Sequence, residues 1–122
     1  EIGAAVDNRQ DAHSWSPDGR HVYFTLQERG SVNLYRMPAG GGAPEAVVRG
    51  RGAVSSYSVA RNGTIAYTFT SPGDLAQVYL LEPGKAARKL TDLNAGVLGG
   101  KQIAEVESFT FVSNDNKWEV EA

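Results

Sequence analysis

Two stretches of the chain repeat one order of turn and strand residues, and this repeat constrains the fold more than any other feature. Trp15 and Tyr57 occupy matching places 42 positions apart. Tyr35 and Tyr79 occupy matching places 44 positions apart. The chain is therefore expected to form two similar structural units, one after the other.

The first unit opens with a tight reversal. Pro17 fixes φ near the value that a turn needs, Asp18 accepts hydrogen bonds from the backbone that follows, and Gly19 tolerates positive φ. The next residues alternate between two faces, as a strand does. One face carries Val22, Phe24 and Leu26, and the other carries His21, Tyr23 and Thr25.

Each unit is predicted to contain four short strands. In the first unit they cover residues 12–15, 21–27, 32–37 and 46–49, and in the second 55–59, 64–69, 77–81 and 88–91. Four strands in about 40 to 50 residues are typical of a β-propeller blade. The predicted fold class is all-β: two four-stranded antiparallel β-propeller blades plus a C-terminal β-hairpin.

The domain boundaries follow from this pattern. Residues 1–93 are predicted to form the two blades, at about 11–50 and 54–93, with a partial upstream strand within residues 1–10. Residues 94–104 lack a sustained period and are predicted to be a connector. Residues 105–122 alternate over two arms around a turn at 113–117, and are predicted to form the first hairpin of a following domain.

Composition excludes several classes of function. The chain has 122 residues, of which 41% are hydrophobic, and this suits one globular domain. A net charge of −2 gives no attraction to nucleic acid or to an anionic membrane. No cysteine is present, which is compatible with either redox compartment. No apolar run reaches a bilayer-spanning length, so a soluble protein is expected. Because the sequence begins with Glu1, we expect it to be a piece of a longer polypeptide.

No catalytic constellation is evident. A serine hydrolase needs a Gly-x-Ser-x-Gly turn, which the sequence lacks. His13 and His21 are interpreted as surface or inter-blade residues. Asp7 with Asp11, and residues 114–116, lack the spacing of a calcium loop and are interpreted as solvated turns.

The triplet of glycines at 40–42 is interpreted as a linker turn, since no helix or lysine follows to hold a phosphate. The sequence therefore predicts no catalytic, cofactor-binding or metal-binding residue. Six aromatic residues recur at matching places, and packing between sheets is the preferred explanation for them. They are Trp15, Tyr23, Tyr35, Tyr57, Tyr67 and Tyr79.

The run Trp15-Ser16-Pro17-Asp18-Gly19-Arg20, with the strand after it and Leu34-Tyr35, resembles the blade repeat of TolB-like proteins and of the prolyl oligopeptidase family of serine peptidases. Residues 89–94, 107–115 and 118–121 resemble the junction where these peptidases pass into their α/β-hydrolase domain. Within the family, the chain looks most like the acylaminoacyl peptidase and dipeptidyl peptidase branch.

There are two departures from the family pattern. Residues 60–63 read Ala-Arg-Asn-Gly where the first unit has its Pro-Asp-Gly turn, and Asn116 stands where relatives often have Gly. Asn tolerates a left-handed backbone best after Gly, so the final hairpin is expected to form. The family's nucleophile, acid and histidine would lie beyond Ala122.

The resemblance implies a non-catalytic propeller fragment, which does not act as an enzyme by itself. The parent would be a serine peptidase that cleaves acyl-amino acids, dipeptides or short peptides, with the propeller restricting access. Its partners would be the other blades, the hydrolase domain and a peptide substrate, and the family resemblance favours the cytoplasm. One alternative is a TolB-like propeller module for protein–protein interaction. Another is a free-standing two-blade protein that self-associates through two exposed sheet faces.

Overall fold

A computed structural model of the chain describes residue 6 and residues 8–122. The first four strands are β1 (Gln10–Trp15), β2 (His21–Glu28), β3 (Ser31–Pro38) and β4 (Glu45–Val48). The next four are β5 (Ala53–Val59), β6 (Ile65–Ser71), β7 (Asp74–Leu81) and β8 (Arg88–Lys89). A short helix α1 (Ala95–Leu98) and a hairpin of β9 (Thr110–Val112) and β10 (Glu119–Glu121) complete the described elements. The strand expected at residues 2–6 lies outside the described residues, apart from Val6.

The strands form two antiparallel meanders, and the all-β prediction is confirmed. In the first meander, formed by β1 to β4, β2 and β3 pair from His21 with Pro38 to Glu28 with Ser31. In the second meander, formed by β5 to β8, β6 and β7 pair antiparallel from Ile65 with Leu81 to Ser71 with Asp74, with a register shift between Phe69 and Ser71. The eighth strand is shorter than the predicted 88–91, and the number of propeller blades stays a prediction.

One short parallel pairing joins the two meanders at their backbones. Val32 of β3 pairs with Ala53 of β5, and the Val32 amide donates to the Gly52 carbonyl at 2.9 Å. Gly52 has a φ of 150°, and a Cβ there would lie 2.1 Å from the Thr70 carbonyl oxygen. Only glycine therefore fits this junction.

Apolar packing joins the same two meanders more extensively. Tyr23 and Leu34 of the first meander form one buried cluster with Val54, Ile65 and Tyr67 of the second. This cluster explains why the alternating stripe of β6 is apolar: it faces the first meander.

A second buried cluster lies on the opposite face of the first meander. It consists of Phe24, Leu26, Tyr35 and Met37, with Val6 packed against it. Neighbouring residues Tyr23 and Phe24 thus belong to different clusters, and the predicted alternation of β2 is confirmed.

The first turn depends on a serine and an aspartate. The buried Ser16 hydroxyl donates to Asp18 Oδ1 at 2.6 Å and accepts from the His21 amide at 2.9 Å. Gly19 then takes a φ of 69°, the left-handed value that its position requires. The hydrogen bond from Ser16 is the main cause that holds the pKa of Asp18 below its ordinary value.

The C-terminal hairpin uses the same turn chemistry. Ser113 donates to Asp115 at 2.5 Å and accepts from the Trp118 amide at 3.1 Å. Asn116 takes the place of Gly19 with a φ of 56°. The expectation that the hairpin forms with Asn116 in the left-handed position is therefore confirmed.

The first strand of each meander, β1 and β5, contains an irregularity that the sequence did not predict. The β1–β2 register shifts between Asp11 and Ser14, and the β5–β6 register shifts between Val54 and Ser56. A threonine of the partner strand contacts each site: Thr25 Oγ1 donates to the Asp11 carbonyl at 3.2 Å, and Thr68 Oγ1 accepts from the Ser56 amide at 3.1 Å. These bulges bend β1 and β5 at matching places.

None of the described residues forms a helix that is long and apolar enough to cross a membrane.

The same Ile→Val substitution is predicted to change the free energy of unfolding more inside the inter-meander cluster than outside it. Ile65→Val removes one methylene from the buried inter-meander cluster, where Ile65 is 3% exposed. The free energy of unfolding is expected to fall by about 0.5–1.5 kcal/mol. Ile103→Val, at a side chain that is 42% exposed, is the control and is expected to change it by less than about 0.5 kcal/mol. Urea titration measures both, and equal effects would contradict the assigned packing.

Candidate functional site

A cleft of about 630 Å³ opens where the ends of the first meander's strands meet the C-terminal segment. One wall is formed by the β2–β3 turn and the β4–β5 loop, with Glu28, Arg29, Arg49 and Arg51. The other wall comes from Val106, Glu107, Ser108 and Glu121. The cleft therefore lies between an arginine-rich edge and an acidic segment.

Glu28 is the most enclosed carboxylate of this cleft, with a side chain that is 18% exposed. Its Oε1 atom accepts from the Tyr35 hydroxyl at 2.7 Å and from Asn33 Nδ2 at 2.9 Å, and Arg49 Nε lies 3.2 Å away. The Tyr35 hydrogen bond is the largest cause that keeps the pKa of Glu28 below its ordinary value. The pKa of Tyr35 is raised, mainly by burial and secondly by its hydrogen bond to Glu28. Glu28 is thus held as an anion at neutral pH.

Asn33 connects this carboxylate to the loop after β4. Its side chain is 2% exposed, and while Nδ2 donates to Glu28, Oδ1 accepts from the Gly50 amide at 3.0 Å. A carboxamide can donate and accept at once, which neither a carboxylate nor an apolar side chain can do. Asn33 therefore fixes the β4–β5 loop, which carries Arg49 and Arg51, against the β2–β3 turn.

The second meander repeats this arrangement with Gln77, which is 1% exposed. Gln77 Nε2 donates to Asp74 Oδ1 at 3.0 Å, and Oε1 accepts from Thr91 Oγ1 at 2.7 Å and from the Leu93 amide at 3.1 Å. Lys89 Nζ lies 2.6 Å from Asp74 Oδ2. Hydrogen bonds from Lys89, then Gln77 and Asn94, lower the pKa of Asp74 to about 2. We call the Glu28–Asn33–Gly50 and Asp74–Gln77–Leu93 sets the carboxamide clamps.

The two histidines lie away from the cleft lining. His13 is exposed, and its ring stacks on Phe24 with centroids 6.2 Å apart. His21 begins β2 and pairs with Pro38. Their interpretation as surface or inter-sheet residues agrees with these positions. That the chain holds no catalytic or cofactor-binding residue stays a prediction.

The glycine-rich stretch and residues 114–116 form turns, whereas the turn interpretation is wrong for Asp11, which lies in β1 and pairs with Thr25 of β2. Asp11 accepts from the Ala12 amide at 2.9 Å, whereas Asp7 lies outside the described residues. Asp115 belongs to the final hairpin turn, and the Gly41 amide donates to the Pro38 carbonyl at 2.9 Å. Within the described part of the chain, no group of three or more His, Cys, Asp or Glu residues could hold a metal ion.

Packing explains most of the recurring aromatic residues. Tyr23, Tyr35 and Tyr67 are buried, and Tyr57 and Tyr79 are half-buried. Tyr67 and Tyr79 stack with centroids 5.4 Å apart. For Trp15 the packing explanation is wrong, because its side chain is 61% exposed. Trp15 ends β1, an edge strand that pairs only with β2 among the described strands.

The sequence reading missed the clamp residues, although a signal was present. Asn33 and Gln77 lie 44 positions apart, the same spacing as Tyr35 and Tyr79, and each interrupts the apolar side of a strand. A polar residue that recurs at one repeat position indicates a shared hydrogen-bonding task.

A one-atom substitution tests the first clamp. Asn33→Asp replaces the donor that faces Glu28 with a carboxylate oxygen, so two acceptors would meet. The free energy of unfolding at pH 7 is expected to fall by about 1–3 kcal/mol or more. The loss should shrink toward pH 5, because the new carboxyl takes up a proton and can donate again. Asn114→Asp, at an exposed turn position, is the control, and an equal effect there would contradict the clamp.

The second clamp predicts a dependence on acid. The pKa of Asp74 falls from its ordinary value of 3.8 to about 2 in the folded chain, so its stabilising effect is complete above about pH 4 and is lost as the pH falls toward 2. Asp74→Asn should flatten the change of the urea midpoint between pH 4 and pH 2. Asp92→Asn shares Lys89 but has a side chain that is 68% exposed, and it should leave the slope unchanged. An unchanged slope in Asp74→Asn would contradict this assignment.

No family model matches the sequence, and no curated protein matches it. Solved structures do match. Acylaminoacyl peptidase from Pyrococcus horikoshii superposes with a TM-score of 0.81 at 26% identity over 98% of this chain. An acylaminoacyl peptidase in complex with Z-Gly-Gly-Phe-chloromethyl ketone gives the same values. The β-propeller domain of the trilobed protease from Pyrococcus furiosus matches 80% of this chain, with a TM-score of 0.65 and 26% identity.

The chain spans 18% of the length of the acylaminoacyl peptidases and 28% of the propeller domain that it matches. The trilobed protease match is to a propeller domain by itself. The acylaminoacyl peptidase matches include nearly the whole of this chain. The resemblance to acylaminoacyl peptidases that the sequence indicated is therefore confirmed, and the fold is that of a protease β-propeller fragment.

Proposed function

We propose that this chain forms the last two blades of the propeller of a serine peptidase, joined to the first hairpin of its hydrolase domain. The observation that carries the proposal is the match over 98% of the chain to acylaminoacyl peptidase. In this role the chain supplies walls and supports for a catalytic site that the rest of the parent contributes.

The difference in coverage between the matches supports the proposed boundary. A propeller domain alone accounts for 80% of the chain, whereas the peptidases account for 98%. The final hairpin also has the surface of an incomplete domain, because Phe109 is 64% exposed and Trp118 is 69% exposed. Large exposed aromatic side chains are suited to burial by a neighbouring segment. We assign that segment to the hydrolase domain downstream.

The position of the cleft supports a role in restricting access. Arg51 of the β4–β5 loop donates to the Val106 carbonyl of the C-terminal segment, so this end of the meanders would face the hydrolase domain. A propeller in that place admits only small or extended substrates. The proposed substrates are acyl-amino acids, dipeptides or short peptides. The TolB-like interaction module stays an untested alternative.

Self-association of the chain also stays a proposal, and we limit it to one face of the second meander. The exposed sheet face expected from the sequence is not found on this side of the first meander, since Phe24, Leu26 and Met37 are less than 5% exposed and Val6 packs against them. The outward face of the second meander, with Ala66, Val78 and Leu80, is the better candidate. In the parent, this face would contact another blade, and sedimentation equilibrium would detect its use between copies of the chain.

A chimaera tests the proposed function. The 122-residue chain would replace the matching segment of the Pyrococcus horikoshii acylaminoacyl peptidase, which keeps its own downstream catalytic residues. The chimaera is expected to fold and to hydrolyse an acyl-amino-acid substrate, whereas the isolated chain should hydrolyse neither this substrate nor a dipeptide.

The control chimaera carries Ile65→Lys, which places a charge in the inter-meander cluster and should abolish folding and turnover together. Two results would overturn the proposal. One is serine-dependent turnover by the isolated chain. The other is an inactive, unfolded chimaera although the isolated chain is folded.

A further inference from the structure

We propose that the C-terminal segment, residues 101–122, is latched to the first meander by Arg51 and swings on the glycine pair at 99–100. Arg51 Nη2 donates to the Val106 carbonyl at 2.8 Å, across 55 residues of sequence. Strands β9 and β10 pair with each other and with none of the other described strands. The segment is thus joined to the first meander by the Arg51 hydrogen bond and not by pairing with any other described strand.

The connector has the properties of a hinge. The helix α1 ends at Leu98, and Gly99 and Gly100 follow, the second with a φ of 76°. Two adjacent glycines allow a wide range of backbone angles at low cost. Residues 101–109 are exposed throughout, so little apolar burial opposes a rotation of the segment.

Charge favours the latched arrangement. The segment 101–122 contains two lysines and five acidic residues, a formal charge of −3. The facing edge carries Arg29, Arg49 and Arg51 against the single acid Glu28, and Glu28 lies within 3.2 Å of Arg49. Glu107 and Glu121 line the opposite wall of the same cleft. These exposed charges attract each other over distances of about 10 Å at 0.1 M salt, and less at higher salt.

The width of the cleft therefore depends on the Arg51 side chain and on ionic strength. With the latch closed, the cleft has a volume of about 630 Å³. Release of Arg51 separates its two walls and leaves the meanders unchanged, because the carboxamide clamps hold the arginine-bearing loop independently of the segment. This inference concerns the chain itself and does not depend on the proposed peptidase.

The absence of cysteine makes a distance measurement straightforward. Spin labels on Ala43→Cys and Asn114→Cys, both at exposed positions, report the separation of the first meander and the hairpin turn by pulsed electron paramagnetic resonance. Arg51→Met removes the donor and the charge but keeps an unbranched stem. Arg61→Met makes the same change in the β5–β6 turn, at the opposite end of the strands, and is the matched control.

The population at longer label distances is expected to grow about fivefold in Arg51→Met, as for loss of one ordinary, solvent-exposed hydrogen bond. It should stay unchanged in Arg61→Met. In the doubly labelled parent chain it should also grow between 0.05 M and 0.5 M salt. An unchanged distribution in Arg51→Met would overturn the latch. If that variant fails to fold, as judged by its circular dichroism, a salt-independent distribution in the parent chain would overturn it instead.

Discussion

The packing of Ile65 and Tyr67 against Tyr23 and Leu34 holds the two meanders together, and the rest of the structure depends on it. The backbone contributes only the Val32–Ala53 pairing at this junction. One such hydrogen-bonded contact is worth about 1 kcal/mol, whereas full burial of an isoleucine or leucine side chain contributes about 1.5–3 kcal/mol. Side-chain burial therefore decides how one sheet lies on the other, and Gly52 permits the backbone to follow.

Once the two sheets pack together, the backbone amides of the loops at their ends still need hydrogen-bond acceptors. An unpaired buried amide costs about 1–3 kcal/mol, so each loop that leaves a fourth strand needs an acceptor for its N–H groups. Asn33 and Gln77 supply that acceptor while donating to Glu28 and Asp74, which are themselves held as anions. The two clamps differ in side-chain length and in the strand that carries the carboxylate, yet in both a carboxamide of the third strand connects a carboxylate beside the preceding turn to an amide after the fourth strand. A repeat thus preserves a network of hydrogen bonds even where its residues change.

The sequence predicts most of the strands because alternation reports directly which residues share a face. Tyr23 and Phe24 were assigned to opposite faces, and they lie in different clusters. Alternation does not report what covers a face, and for this reason the exposure of Trp15 was missed. The bulges near Ala12 and Ser55 were missed for a related reason: they depend on Thr25 and Thr68 of the partner strands, which a local pattern does not include. Recognising the carboxamide clamps requires both the repeat and the pairing register of the strands.

The two Ser-x-Asp turns show how far local sequence can determine structure. Both form the same hydrogen bonds, although one contains Gly19 and the other Asn116. The first turn joins β1 to β2, a strand that is buried on both faces, whereas the second joins β9 and β10, whose residues are all exposed. A turn fixes the register of a hairpin but supplies no core, and an isolated two-stranded hairpin is marginally stable. The order of the C-terminal hairpin must therefore come from its surroundings, and Glu121 and Ala122 line the cleft whose other wall is the arginine-bearing edge of the first meander.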